Sequence, residues 1–477
     1  MRRAGWAAAV ALALCGAQAA HAGLRVPYGG ELVAYVFGPP VGLSPHAATD
    51  AADRTAQAAL FEPLYRLAED GALVPVLAAG PPEVSGASVF VPLQEGLRLH
   101  DGRVLTPELA VAALEGQAGG AGAHVLAPVA ALQPEQGGLR FQLQAPYDAF
   151  PRLLASAHAV IAVPSAEAGR EVGTGPFQLE ARGARGEVEL VPFLEHRAGR
   201  PFLDRVALRP YSSRSGAAAW ARRGEAAVLF GVPDARGAEA PRLSWPTLGP
   251  SALGGPLSRV VLRVGPGPEQ ALRRAAVSRA LQRERLVSRF MDAAARPSAR
   301  LLAGLPAPEE PAPAAAQARL DLVVSQTDRA GWQFAKRVQL DLLRGGIVTT
   351  LRRVSPEDLA KALLEPGPEE LVLASVLPDA PESRDPADAL HALLSLAAAL
   401  GAPGAIPQGD LRAFYAAAPE ARASLLPALE TRTRQALGLV PLAIRPPGVL
   451  LEAQVAPLVL TPQGALQMAD AHAEVSR

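Results

Sequence analysis

The sequence predicts an α/β protein built from more than one domain. Three observations carry that expectation. The 477-residue chain is long enough for two or three domains and a large core. Beyond residue 320, short apolar strands alternate with helical runs, the order of an α/β unit. Between residues 60 and 143 the runs are shorter and β-like, separated by turn pairs such as Asp70-Gly71 and Asp101-Gly102.

Composition excludes several classes of function. Lys plus Arg and Asp plus Glu both number 46, so there is no global basic field for nucleic acid. Positive charge is nearly all arginine, with Lys336 and Lys361 the only lysines. The single cysteine, Cys15, lies in the leader, so the mature chain is expected to hold no disulfide, thiol nucleophile or Cys-based metal site.

Residues 1–22 read as a secretory signal peptide. Arg2 and Arg3 form the charged start, and 4–14 is apolar but too short to span a bilayer. Ala20-His21-Ala22 is an A-x-A cleavage site, so the mature chain is expected to begin at Gly23 and to be periplasmic. Lipidation at Cys15 is the weaker alternative, because Leu14 stands where a small residue is wanted.

A first strand follows Gly29-Gly30, and 55–60 reads as helix. Residues 89–93 are strand-like, and Thr106-Pro107-Glu108 opens a helix with a cap, a first-position proline and a dipole-matched carboxylate. Strands are expected at 139–143 and 160–163. Gly173-Thr174-Gly175-Pro176-Phe177 predicts a tight turn into a strand. A phosphate cradle would need a helix next, and 187–191 reads as strand.

Residues 259–264 read as strand and 269–291 as one long helix. Its Leu272, Ala276, Ala280, Val287 and Met291 share a face, and six arginines make the rest a solvated basic surface. A Pro/Ala loop covers 304–318. Strand 320–324, helix 335–345, a capped start at Ser355-Pro356 and strand 370–375 follow. Asp385-Pro386 should cap a helix to about residue 400. Residues 410–437 read as helix broken near Pro419 and Pro427.

The order of landmarks resembles the extracellular solute-binding proteins of family 5, the peptide- and nickel-binding proteins that serve ABC importers. The matching residues are Glu62-Pro63-Leu64, Asp70-Gly71, Pro75, Leu77-Ala78, Phe90, Leu93, Gly96, His100-Asp101-Gly102 and Thr106. Gly173 to Phe177 and Pro201-Phe202-Leu203-Asp204 supply two further landmarks. Departures are Pro92 within a strand, Leu109 and Gln282 for the usual Asp, and Val376 for an aromatic.

The resemblance implies a type II, cluster C-like periplasmic binding protein: two α/β lobes joined by two crossings, with a small domain inserted in the first. The expected divisions are first lobe 23–60, inserted domain 61–160, first lobe again 161–255, second lobe 256–440, and a return at 441–477. A small solute, most simply a peptide, would lie in the cleft and be enclosed by hinge closure. An inner-membrane ABC permease would be the protein partner, and the chain is expected to be a monomer. In the peptide binders an aspartate at the place of Asp379 pairs with the ligand's α-amino group, which makes Asp379 the one candidate ligand residue.

No enzyme, metal or cofactor signature stands out. Gly249-Pro250-Ser251-Ala252-Leu253 narrowly misses G-x-S-x-G, leaving a hydrolase using Ser251 as a remote alternative. The mature histidines are scattered, with none at helical metal-binding spacing. The main alternative is a degenerate member of the fold that binds no solute and serves as a sensory or structural partner.

Overall fold

Two six-stranded mixed sheets and one four-stranded antiparallel sheet organise the chain. The structure is a computed structural model that describes residues 28–37, 42–45, 51–68, 70–165, 170–211, 223, 227–230, 257–267, 269–291, 294–306, 308, 319–326, 328–381, 383, 385–446, 449–451, 455–456, 458–461 and 464–473. The expected leader with Cys15 and its cleavage site, the Ser251 segment and most of the Pro/Ala loop lie outside the described residues.

The first large sheet runs in the order Phe177–Arg182, Val188–Pro192, Arg205–Tyr211, Glu31–Phe37, Val228–Phe230, Val449–Leu451. Its central strand Glu31–Phe37 pairs parallel on both sides, with Ala34 opposite Leu208 and Val228. Leu32, Ala34 and Val36 are buried there, the period-2 signature of a strand facing a core.

The second large sheet runs Arg296–Pro297, Leu439–Arg445, Ser258–Val264, Glu370–Val376, Arg319–Ser325, Val348–Val354. Ser258–Val264 is buried along its whole length. Two arginines on it survive burial by donating to carbonyls: Arg259 to Leu301, and Arg263 to Leu363 and Leu400. Leu439–Arg445 still belongs to this sheet, and Val449–Leu451 is the first strand back in the other.

The four-stranded sheet runs Glu83–Ser85, Ser88–Pro92, Gly138–Leu143, Val129–Glu135, in chain between two strands of the first large sheet. Its Val89, Val91, Leu139 and Phe141 share one apolar cluster with Leu390, Leu393, Phe414 and Leu426 of the helices that follow residue 386. Separate clusters line the two large sheets.

The caps form as expected. Thr106 accepts from Leu109 N–H, Ser355 from Asp358 N–H and Asp385 from Ala387 N–H. Three expectations need correction. The single helix at 269–291 is two, Gln270–Ala280 and Arg283–Phe290. The backbone is extended at Leu281. Buried Asp341 stabilises the break, taking Gln282 N–H at 3.1 Å and pairing with Arg285. Pro427 sits inside the unbroken helix Pro419–Ala436, which starts with Pro419 in its first turn. The arginines of the supposed basic face turn inward in part: Arg274 is buried, Arg273 bonds the Pro368 carbonyl, and Arg283 bonds those of Pro441 and Ser278.

Candidate functional site

The loop after Glu370–Val376 carries Leu377, Pro378 and Asp379 out of the second large sheet. Leu377 is buried in the apolar cluster of the first large sheet, so the loop bridges the two halves of the molecule. Helix Ala51–Leu60 meets it there. Arg54 donates from Nη2 to the Leu377 carbonyl at 2.6 Å and from Nη1 to the Pro378 carbonyl at 2.9 Å. The same Nη1 lies 4.0 Å from Asp379 Oδ1.

Asp379 is 4 % exposed, and its carboxylate is surrounded by protein groups. Ser156 Oγ donates to Oδ2, and Ala157 N–H donates to Oδ1 at 3.2 Å. His124 Nε2 stands 3.4 Å from Oδ2. The backbone N–H of Asp379 donates to Ser395 Oγ on helix Pro386–Ala399. His158 packs beside this group, its ring edge-on to His124 at 5.5 Å and its Nδ1 bonded to the Pro45 carbonyl at 2.8 Å.

The electrostatics follow from burial and these partners. Burial opposes ionisation of Asp379. The His124 hydrogen bond and the charge of Arg54 outweigh it and hold the carboxyl far below the usual carboxylate range. Burial pushes His158 down to about 4, against the attraction of Asp379. His391, which bonds Tyr147 OH at 2.9 Å, is pushed down to about 3 chiefly by burial. Both are therefore neutral near pH 7.

The glycine motif at 173–177 has a structural task, by a different route from the one expected. Neither Gly173 nor Gly175 has a positive φ. What they provide is close approach: a Cβ on Gly173 would lie 2.4 Å from the Leu60 carbonyl oxygen, and one on Gly175 would lie 2.4 Å from that of Ala59. His100 ties its own turn to this motif, its N–H bonding the Gly173 carbonyl and its Nε2 the Gly175 carbonyl at 3.0 Å. Glu62, also buried, is held by His196 and Arg197 at 3.2 and 3.0 Å. Among the described residues, no group of three or more His, Cys, Asp or Glu side chains is placed to hold a metal ion.

The family model for bacterial extracellular solute-binding proteins, family 5, matches residues 72–360, more than half of the chain. The chain is a family 5 solute-binding protein. The family's members bind solutes for ABC transporters, peptides and nickel complexes among them, and are not enzymes. They are periplasmic or extracellular. Among the described residues no helix of this binding protein is long and apolar enough to cross a membrane.

Solved structures share its two-lobed fold. The murein tripeptide binding protein MppA of Escherichia coli aligns over 94 % of this chain and 100 % of its own, with TM-score 0.77 and 16 % identity. The oligopeptide-binding protein AppA of Bacillus subtilis, in complex with a nonapeptide, covers 94 % and 100 % at TM-score 0.73 and 15 % identity. NikA of Staphylococcus aureus, in complex with Ni(L-His)2, covers 93 % and 100 % at TM-score 0.73 and 13 % identity. No curated protein matches the sequence.

Of the residues around Asp379, sequence reasoning selected Asp379 alone. Arg54, His124, Ser156 and His158 lie more than 200 positions away in sequence. Nothing in their local patterns marks them. Only Arg54 offered a clue, as a charged residue on a helix whose neighbours Ala51, Ala52, Thr55 and Ala56 are all small enough to be buried.

Proposed function

We propose that this binding protein is the periplasmic substrate-binding component of an ABC importer. It captures a small, peptide-like solute in the cleft between the two large-sheet halves, which close about a hinge on binding. It passes the solute to an inner-membrane permease as a monomer and performs no chemistry on it. Its export rests on a leader cleaved after Ala22. The observation that supports the reading is the position of Asp379: a carboxylate from the second half, at the seam, facing Arg54, His124 and Ser156 from the first. A solute's ammonium would engage Asp379 by taking the place of these protein donors.

The test is a thermal-shift screen of residues 23–477, first unfolded and refolded to remove carried solute. The panel holds di- to octapeptides, nickel chelates, amino acids and sugars. A solute at a hundred times its dissociation constant adds roughly 2.7 kcal/mol of stability. For a free-amine peptide that scores, Asp379→Ala should weaken binding by roughly 2–5 kcal/mol. Equal affinity in the variant would remove Asp379 from the site.

One observation favours a second reading, a family member that binds no solute and acts as a sensory or structural partner. The Asp379 carboxylate is already satisfied by four protein groups, and one apolar cluster runs from the four-stranded sheet to the helices beyond residue 386. Silence across the whole panel would favour it.

A further inference from the structure

Arg263 stands on strand Ser258–Val264 and is 9 % exposed. Its Nη1 donates to the Leu363 carbonyl, and to the Leu400 carbonyl at 2.9 Å. These carbonyls belong to the C-terminal ends of helices Pro356–Leu364 and Pro386–Ala399. Orphan carbonyls at helix ends favour a cation, which gives Arg263 a structural reason to be buried. That reason uses Nη1 only. Nε is buried with no hydrogen-bond partner. Among the described residues no protein group accepts from Nη2, and no carboxylate pairs with the guanidinium.

The Nε–Nη2 edge of an arginine is suited to a carboxylate, because its two N–H bonds run parallel toward two oxygens. Elsewhere this chain uses it so. Arg152 gives Nε and Nη2 to the two oxygens of Asp388 at 3.1 and 2.7 Å. Arg140 gives them to those of Glu135 at 2.7 and 3.0 Å. Arg197 turns the same edge to Glu62 at 3.2 and 3.0 Å. On Arg263 this edge has no protein acceptor, and Arg263 lines a cavity of about 300 Å³. That volume is at the lower end of the range for small-molecule sites.

The other cavity walls set the class of ligand. Pro266, Leu364, Pro366, Ala436 and Leu437 are apolar. Gln270 opens helix Gln270–Ala280, whose N-terminus has no side-chain cap and presents the end that favours an anion. Glu365 is the one carboxylate in the lining, and it makes no ion pair with Arg263. Together with the C-terminal end of helix Pro419–Ala436, it disfavours a second negative charge.

We propose that Arg263 and this cavity bind a small aliphatic monocarboxylate, its two oxygens on Nε and Nη2 and its alkyl chain against the proline and leucine walls. Such a ligand supplies the counter-charge that a buried guanidinium otherwise lacks. The site is separate from the seam. Arg259 lies opposite Val376, where the loop to Asp379 begins, and Arg263 is four residues further along the same strand, roughly 13 Å away. The proposal is independent of the importer reading.

The test uses the mature chain at pH 7 with butyrate as probe and butyramide as its neutral counterpart of similar shape. Saturation-transfer NMR detects binding, and calorimetric titration gives affinities. Butyrate should bind at least about tenfold more tightly than butyramide. Arg263→Lys keeps the charge but loses the paired donors, and should bring the two probes close to equal affinity. Two further variants start from exposed positions and leave Arg263 in place. Ala436→Phe fills the cavity and should abolish butyrate binding. Glu365→Gln should tighten it by up to about fivefold at low salt. Equal affinities for butyrate and butyramide in the wild type overturn the proposal. So does butyrate binding undiminished in Ala436→Phe, which would place the probe elsewhere, and this outcome stands even if Arg263→Lys fails to fold. Butyrate binding beside a silent solute screen counts against the importer reading alone, and a solute hit without butyrate binding removes this site alone.

Discussion

Removing the Asp379 carboxylate should destabilise the whole molecule, with or without a solute. In Asp379→Ala the Arg54 guanidinium loses its counter-charge while remaining at 1 % exposure, and the buried His124 ring loses the oxygen it faces. Stripping one partner from a buried ion pair costs about 3–5 kcal/mol. The Ser156 hydroxyl and Ala157 N–H lose their acceptor too, at roughly 1–3 kcal/mol each, although the losses overlap and do not add. Unfolding entropy of about 2.1 cal/mol/K per residue gives ~1 kcal/mol/K for a chain of this length. If the molecule melts as one unit, its midpoint should therefore fall by about 3–5 °C. Calorimetry at pH 7 measures this directly. Asp379→Asn, which keeps shape and one acceptor oxygen, should fall by less. The cycle with Arg54→Met should show the double variant better than the sum of the single losses by at least about 1 kcal/mol. A midpoint for Asp379→Ala within about a degree of wild type would refute the reasoning, since it would mean the carboxylate is not supporting buried charge.

Further outcomes follow from other parts of the fold. Gly175→Ala drives a Cβ into the backbone of Ala59 and Leu60 and should cost about 1–3 kcal/mol or more, read as a lower urea midpoint at unchanged slope. Asp341→Ala leaves the Gln282 N–H and Arg285 without their acceptor and should destabilise the break between Gln270–Ala280 and Arg283–Phe290, seen as faster amide exchange at 281–283. Stability should fall on acidification from about pH 6.5. His158 and His391 resist protonation in the folded state down to about 4 and about 3, whereas the unfolded chain takes up both protons from about 6.5. Each contributes on the order of a few kcal/mol that is present above that range and lost below it. In His158→Asn that part of the slope should shrink, and an unchanged melting profile between about pH 6.5 and 4 would count against it.

What the sequence revealed follows the range of the forces involved. Caps at Thr106, Ser355 and Asp385 were legible because the side chain bonds an amide two or three residues on. The period of buried residues gave most strands. The single helix at 269–291 failed because the feature that splits it is Asp341, about sixty residues downstream in sequence. Pro427 failed in the opposite direction: the packing of Leu426 and Leu429 holds the helix straight through a residue that local propensity reads as a break. The glycine motif was legible as a constraint but not in kind. A turn and a close approach both demand glycine, and only the position of Leu60 distinguishes them. At the candidate site Asp379 was reachable through resemblance, whereas its neighbours Arg54, His124 and Ser156 were brought to it by tertiary packing alone.

The buried histidines and the Asp379 carboxylate all weaken the folded state as pH falls, for opposite reasons. His158 and His391 have no carboxylate in hydrogen-bond contact, so burial dominates and acid weakens the folded state. Asp379 is as deeply buried, but the His124 hydrogen bond and Arg54 hold it ionised, so the unfolded chain takes up its proton first and acid again weakens the folded state. Two imidazoles and one carboxylate within one region are thus each held in one protonation state, the imidazoles by burial beside a proline carbonyl and a tyrosine hydroxyl, the carboxylate by the donors around it. Loss of His158 or His391 should therefore change the melting profile between about pH 6.5 and 4, whereas loss of the Asp379 partners should change it only below about pH 4.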